Sequence, residues 1–394
     1  MLSLIPVITI MIKQRGSIMT NEGTNNTARQ IIPLKAWRFN FGDAKNGWYR
    51  GADDSNWEAV QVPHDWSIKR GFSTENSSGT GYVTGGIGWY RCRFNLKPQP
   101  GKKIRITFEG VYNNSMVWCN SNYLGKRPYG YSTFVYDITE FLAPDGDNVI
   151  SVKVPHTETA DSRWFTGSGI TRPVYVTVTG TPCVADFGIF VHTEDVTSES
   201  ATVIVDTELD GGDALVRHTI IAPDGTTVAE MTGTKASCKV ENPLLWGTES
   251  PNLYTLVTEV ISNGEVTDTV QTRFGIRDIK FDASGKFFLN GKETKLRGVC
   301  LHHDAGCLGA AVPKEVWRRR LTKLAACGCN AIRTSHNPPD PALLDLCDEM
   351  GFLVMDEAFD EWEAPKNKWW QGHNVNPPKL NGYYEDFITW GEAD

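Results

Sequence analysis

The chain of 394 residues is too long for one small core and long enough for two or three domains. Its 40% apolar and 22% charged residues are those of an ordinary globular protein. A net charge of −8, with acids and bases interspersed, argues against nucleic acid and membranes as partners, and no apolar stretch approaches a bilayer span.

Nine cysteines stand singly, in odd number and without a C-x-x-C spacing. That argues against a zinc ribbon or a disulfide framework and points to a reducing compartment, so a cytoplasmic protein is expected. The N-terminal MLSLIPVITI is apolar, but no basic residue precedes it and no clear cleavage site follows. Residues 1–30 read as a disordered or mis-started leader. Its first 18 residues are either an artefact of an early start codon, with Met19 the true start, or a poor signal peptide.

From residue 31 to 181 the apolar pattern has period two. Ile104, Ile106 and Phe108 alternate with Arg105, Thr107 and Glu109, and Val174, Val176 and Val178 alternate with Tyr175 and Thr177. Turn clusters such as APDGDN separate the runs, which predicts a β-sandwich of the jelly-roll kind. Residues 182–279 repeat the pattern on a smaller scale. Asp224-Gly225 and Asn263-Gly264 each sit between strand-like runs, the strongest short hairpin signal, and about 95 such residues suit an immunoglobulin-like sandwich.

After residue 280 the period changes. FFLNGKETKLRGV reads as a hairpin leading into a strand. Pro313 opens a helix with Trp317, Leu321, Leu324 and Ala325 inward, and Gly328 stops it. NAIRTSH is the next strand. Asp340 and Pro341 start a second helix with the stripe Leu343, Leu346, Cys347 and Met350, Gly351 ends it, and FLVMDEAF is a third strand. Strand–helix–strand–helix–strand in about 65 residues of the 280–394 segment is the start of a parallel α/β unit.

In a parallel α/β barrel the active site forms at the carboxyl ends of the strands. Those ends are His302-His303-Asp304, Ser335-His336-Asn337 and Asp356-Glu357, with Asp360-Glu361-Trp362 just beyond. Three histidines with carboxylates could hold a metal, but His302 and His303 are strand neighbours whose side chains tend to opposite sides, and no H-x-H or H-E-x-x-H occurs. Trp362, Trp369 and Trp370 follow the third strand. Flat apolar rings beside acids suit sugars, which present C–H faces and hydroxyl edges.

RGVCLHHD, NAIRTSHNPPDPALLDLCDEMGFLVMDEAFDEW and NPLLWGTESPNLYTL resemble glycoside hydrolase family 2, most closely its β-galactosidases, and VPHDW, GGIGWYRCRF and DSRWFTGSGITRPVYV add support in the first domain. The resemblance implies a jelly-roll sugar-binding domain, an immunoglobulin-like sandwich and a TIM (β/α)8 barrel. It implies that His302, His336 and Asp161 bind the sugar, that Asn76 contacts it from a first-domain loop, and that Glu361 matches a magnesium ligand. The family's next magnesium ligand is a histidine where this chain has Glu363, which sets Mg2+ at Glu361 in question. A β-galactoside is the expected partner, with β-glucuronide and β-mannoside as alternatives. The resemblance leaves room for a homo-oligomeric parent, and a non-catalytic carbohydrate-binding protein is the reading from another class.

The family's mechanism is retaining, with two glutamates about 5–5.5 Å apart. The resemblance puts them at the ends of the fourth and seventh strands, the first in an Asn-Glu pair. The only Asn-Glu here is Asn21-Glu22, and NGYYEDFITWGEAD resembles the helix before the fourth strand. The expectation is an N-terminal fragment without either catalytic glutamate, inactive by itself. Three strands cannot close a barrel, so an open edge and an unshielded apolar face are expected.

Overall fold

The computed structural model describes residues 28–368 and 380–394. Most of the expected leader, and Trp369 and Trp370, lie outside them.

The first domain packs a four-stranded antiparallel sheet (Gln30–Pro33, Val174–Thr179, Lys103–Phe108, Phe134–Asp137) on a six-stranded one (Glu58–Gln61, Ala36–Phe41, Gly86–Asn95, Asp147–His156, Ser115–Cys119, Asn122–Arg127). Ile104, Ile106, Phe108, Val152, Val154 and Val176 are wholly buried between them. The alternation predicts Arg105 and Thr107 on an outer face, and they are buried as well. The second domain covers that face: the Arg105 guanidinium reaches Asp210 at 2.5 Å and Asp186 at 3.3 Å.

The second domain is a three-plus-four sandwich. Cys183–Glu194, Ser200–Asp210 and Lys235–Glu241 face Thr227–Thr232, Leu215–Ile221, Tyr254–Ser262 and Glu265–Phe274. Both expected hairpins form. At the tighter one Asn263 and Gly264 take φ of 53° and 82°, the left-handed pair that matches the twist of the flanking strands.

The third part contains β1 (Gly298–Leu301), α1 (Lys314–Ala326), β2 (Ala331–Thr334), α2 (Pro341–Met350), β3 (Leu353–Met355) and α3 (Tyr384–Trp390). The three strands are parallel in the order β1-β2-β3. The Asp340 carboxylate caps α2 by accepting from Ala342 N at 2.9 Å, and Gly351 ends it at φ 75°. Trp317 and Leu321 of α1 pack with Ile332, Leu343, Leu346 and Phe352. Ala325 is exposed rather than inward, because the contact row runs 317–321–324 along one ridge. Register puts Cys300, Arg333 and Met355 on the opposite face of the sheet, and no helix among the described residues covers it; Met355 is 51% exposed. This is the partial TIM barrel, with its inner face open at Cys300 and Met355.

The two sandwiches grip opposite ends of this sheet. Trp246 of the second domain packs on Leu289, Ala331 and Leu353 at the strands' N-terminal ends, and its indole N–H donates to Asp348 O at 2.9 Å. The first domain meets the C-terminal ends. Asp65 of VPHDW accepts from Ser67 N, Ser168 N and Ala310 N at 2.9–3.0 Å, tying two first-domain loops to the β1–α1 connection. A Cβ on Gly309 would stand 2.4 Å from that carboxylate, and Gly309 has φ 65°, so glycine is required twice over.

Candidate active site

The strand alternation expected for adjacent histidines holds. His303 turns toward the first domain, donates from Nε2 to Thr166 O at 3.0 Å, and packs on Tyr131 with ring centroids 4.9 Å apart. Burial pushes its pKa down to about 4, so it is a neutral seam residue at pH 7. His302 turns the other way. Its ring lies 5.5 Å from that of His336 and 6.0 Å from Trp164, and Trp164 lies 5.5 Å from His336. Burial, then the neighbouring His336, lowers the His302 pKa, which keeps this imidazole neutral. Its buried Nδ1 has no hydrogen-bond partner among the described residues.

His336 is held from below. Its Nδ1 is 2.8 Å from Glu357 Oε2, and the other Glu357 oxygen is ion-paired with Arg333. The loop that follows is clamped from the first domain by Arg172, whose guanidinium donates to Tyr131 O and Pro338 O at 2.7 Å.

Asp161 comes from the first-domain loop DSRW. Neither nearby arginine of that segment pairs with it: Arg163 binds Asp360 at 2.5 Å and Arg172 binds carbonyls. Its Oδ2 accepts from Tyr112 OH at 2.8 Å and Asn113 Nδ2 at 3.3 Å, and lies 3.3 Å from His156 Nε2. Burial opposes ionisation, but His156 and these donors outweigh it and hold the carboxyl below its usual range. Oδ1 is buried with no partner among the described residues.

Asp161, Trp164, Tyr129, Tyr131, Phe359 and Glu361 line a cleft of roughly 650 Å³, counting volume open to solvent, between the first domain and the loop after β3. Six carboxylates face it: Glu158, Asp161, Asp360, Glu361, Glu385 and Asp386. The sequence places His302, His336 and Glu361 in one hollow. The structure makes two adjoining groups instead, the histidine pair and the acidic cleft, with Trp164 as their shared wall. Asn76 lines neither; its amide donates to Tyr82 O and Thr84 Oγ1 at 3.2 Å, in a loop whose Gly81 lies against Phe165. Trp362, 55% exposed, stacks edge-on against Phe359 and Phe387 rather than lining the cleft.

Trp164 and Lys368 went unrecognised in the sequence, and Glu357 was placed at a strand end without its role in holding His336. Trp164 stands in the same DSRW motif that singled out Asp161, so a signal was present. Lys368, in NKWW, carried none.

The donors around Glu361 do not fit magnesium. Its carboxylate is occupied by the Lys368 ammonium, 2.6 Å from Oε1 and bonded to Oε2 as well, and by Lys366 N at 2.9 Å. Glu363 points to solvent, and no group of three or more His, Cys, Asp or Glu able to hold a metal occurs among the described residues.

A jelly-roll sandwich and a partial barrel meeting at an aromatic and acidic cleft, with an immunoglobulin-like sandwich at the far end of the barrel strands, define a carbohydrate-active protein. The sequence matches the sugar binding domain of glycosyl hydrolases family 2 at residues 35–180, the model described simply as glycosyl hydrolases family 2 at 174–277 and the family's TIM barrel domain at 280–381. The chain belongs to glycosyl hydrolases family 2. It is 45% identical over 377 residues to a β-galactosidase of Bacteroides ovatus, covering 91% of this chain and 43% of that one. It is 38% identical to a putative β-glucuronidase of Formosa agariphila, covering 85% of this chain and 34% of that one. A crystal structure of a β-glycosidase from Bacteroides vulgatus superposes with TM-score 0.86 at 38% identity, covering 93% of this chain and 47% of that one. The chain thus spans less than half the length of these relatives.

Proposed function

We propose that this chain is the sugar-recognising part of a retaining β-galactosidase that releases terminal β-D-galactosyl residues. Trp164 offers a face to the sugar ring, and Asp161, His302 and His336 bind its hydroxyls. Asn76 contacts a longer substrate from the rim. The two glutamates of the retaining mechanism are not among the carboxylates described above. Glu357 is held by Arg333 and His336, and Glu361 by Lys368; both follow β3 and cannot flank one anomeric carbon from independent strand ends. By this reading the chain alone hydrolyses nothing.

The observation that carries the neutral sugar is the cleft's charge. Six carboxylates face it, and its buried lysine is already paired with Glu361. A uronic acid would bring a further negative charge into a site of low dielectric, where like charges repel strongly. The named β-glucuronidase relatives favour the second reading, a glucuronide substrate. Saturation-transfer NMR on the chain tests both: transfer to galactose and none to glucuronate supports the galactoside, and the reverse order overturns it. A chromogenic galactoside hydrolysed by the chain at an ordinary enzymatic rate would overturn the assignment of the glutamates.

The reading divides the chain at residues 181 and 279, in the links between Val174–Thr179 and Cys183–Glu194 and between Glu265–Phe274 and Ile279–Phe281. It keeps the protein in the cytoplasm, a location supported by nine cysteines that all stand as free thiols. A homo-oligomeric parent remains part of the proposal, to be checked by light scattering.

A further inference from the structure

The Glu361–Lys368 pair is unlike the other ion pairs of the cleft region. Side-chain exposure is 1% for Lys368 and 5% for Glu361, whereas Arg163, which pairs with Asp360, is 34% exposed. The ammonium spans both carboxylate oxygens, and Lys366 N closes the eight-residue loop onto Oε2. The remaining side is sealed by backbone. A Cβ built on Gly382 would lie 2.4 Å from Glu361 Oε1, 2.9 Å from Lys368 Nζ and 2.9 Å from Asp161 O. One compact point therefore joins the loop after β3, the segment before α3 and the first-domain loop that carries Asp161.

We infer that the Lys368 ammonium is a built-in cation that holds Glu361 and the cleft floor in place, so that this site is assembled without a divalent metal. An isolated buried carboxylate must be neutralised, and either a metal ion or a fixed ammonium can do it. Here the ammonium is covalently tethered one turn of loop away, and both oxygens are taken. A divalent ion could bind Glu361 only by displacing Lys368 and leaving a buried cation beside itself, an arrangement opposed by repulsion and desolvation together. No group of three or more His, Cys, Asp or Glu able to hold a metal gathers there among the described residues: His336 faces Glu357, and Glu363 faces solvent. Lys368 is thus a positioning residue for the cleft, and the inference stands whichever sugar the cleft takes.

The test uses the 394-residue chain with Mn2+ as the magnesium probe. Titration followed by electron paramagnetic resonance is expected to show no saturable binding, with thermal melting identical in chelator and in millimolar magnesium. In Lys368→Ala, hydrogen exchange at the Lys366 amide should rise by about tenfold or more, ethylammonium should restore protection, and magnesium should not. Saturable Mn2+ binding by the unmodified chain that Glu361→Gln abolishes would overturn the inference. So would unchanged Lys366 protection in Lys368→Ala, or rescue of that variant by magnesium in place of ethylammonium. Should Lys368→Ala not fold, Lys368→Arg keeps a cation and is read in the same way: retained protection without metal supports the inference, and a new metal requirement overturns it.

Discussion

The indole of Trp164, on a first-domain loop, lies 5.5 Å from the imidazole of His336 at the tip of the second barrel strand. The Trp164 N–H donates to Tyr131 OH at 3.1 Å, which aims the ring. A side chain of the sandwich thereby walls both the histidine pair of the barrel strands and the acidic cleft beside it.

Replacing Trp164 with alanine should weaken galactose binding by about tenfold or more, since one ring face and its packing are worth on the order of 1–2 kcal/mol. Trp164→Phe should retain most of the affinity. Isothermal titration of both variants checks this; equal affinity of Trp164→Ala and the unmodified chain would remove the ring from the site.

Asp65 is the anchor between the first domain and the β1–α1 connection. Asp65→Asn turns one acceptor oxygen into a donor that faces other donors, among them Ala310 N. A cost of about 3 kcal/mol is expected, from the lost charged hydrogen bonds and the stranded N–H groups. Denaturant unfolding measures it, and limited proteolysis should show residues 306–312 cleaved sooner in the variant.

His303 makes stability depend on pH. Its folded pKa of about 4 lies below the ordinary 6.5. The unfolded chain therefore binds the extra proton between those values. The contribution of neutral His303 is complete above pH 6.5 and falls as pH drops toward 4, by about 3 kcal/mol in total. His303→Gln can still donate to Thr166 O and cannot titrate. Melting curves from pH 7 to pH 4 should fall less steeply for this variant, and identical slopes would place the pH dependence elsewhere.

The bare inner face of the three-stranded sheet should make the last third of the chain the first to open. Limited proteolysis is expected to leave a stable pair of sandwiches ending near residue 280. Met355→Lys, at a position already 51% exposed, should lower light scattering on concentration without lowering the melting temperature. Equal protease resistance of residues 280–394 and the sandwiches would contradict this.

Much of the architecture was legible in local pattern. Alternation of Ile104, Ile106 and Phe108, the Asn263-Gly264 turn, and the Asp340-Pro341 start and Gly351 stop of α2 are all set by neighbours in sequence, and they appear as read. The divergence of His302 and His303 follows from the same two-residue period. Ala325 and Arg105 were misplaced because both depend on what packs against an element, which periodicity does not contain.

By itself the sequence determined the kinds of elements, their order, and the strand ends on which ionisable residues gather, because propensity, capping and alternation act over a few residues. Only the tertiary structure decided which charges meet. Asp161 chose His156 and Tyr112 over its neighbouring arginines, His336 took Glu357, and Glu361 took Lys368. Such choices depend on burial and on angstrom-scale distance between segments far apart in the chain, since a carboxylate removed from water must find whichever donor the packing brings to it.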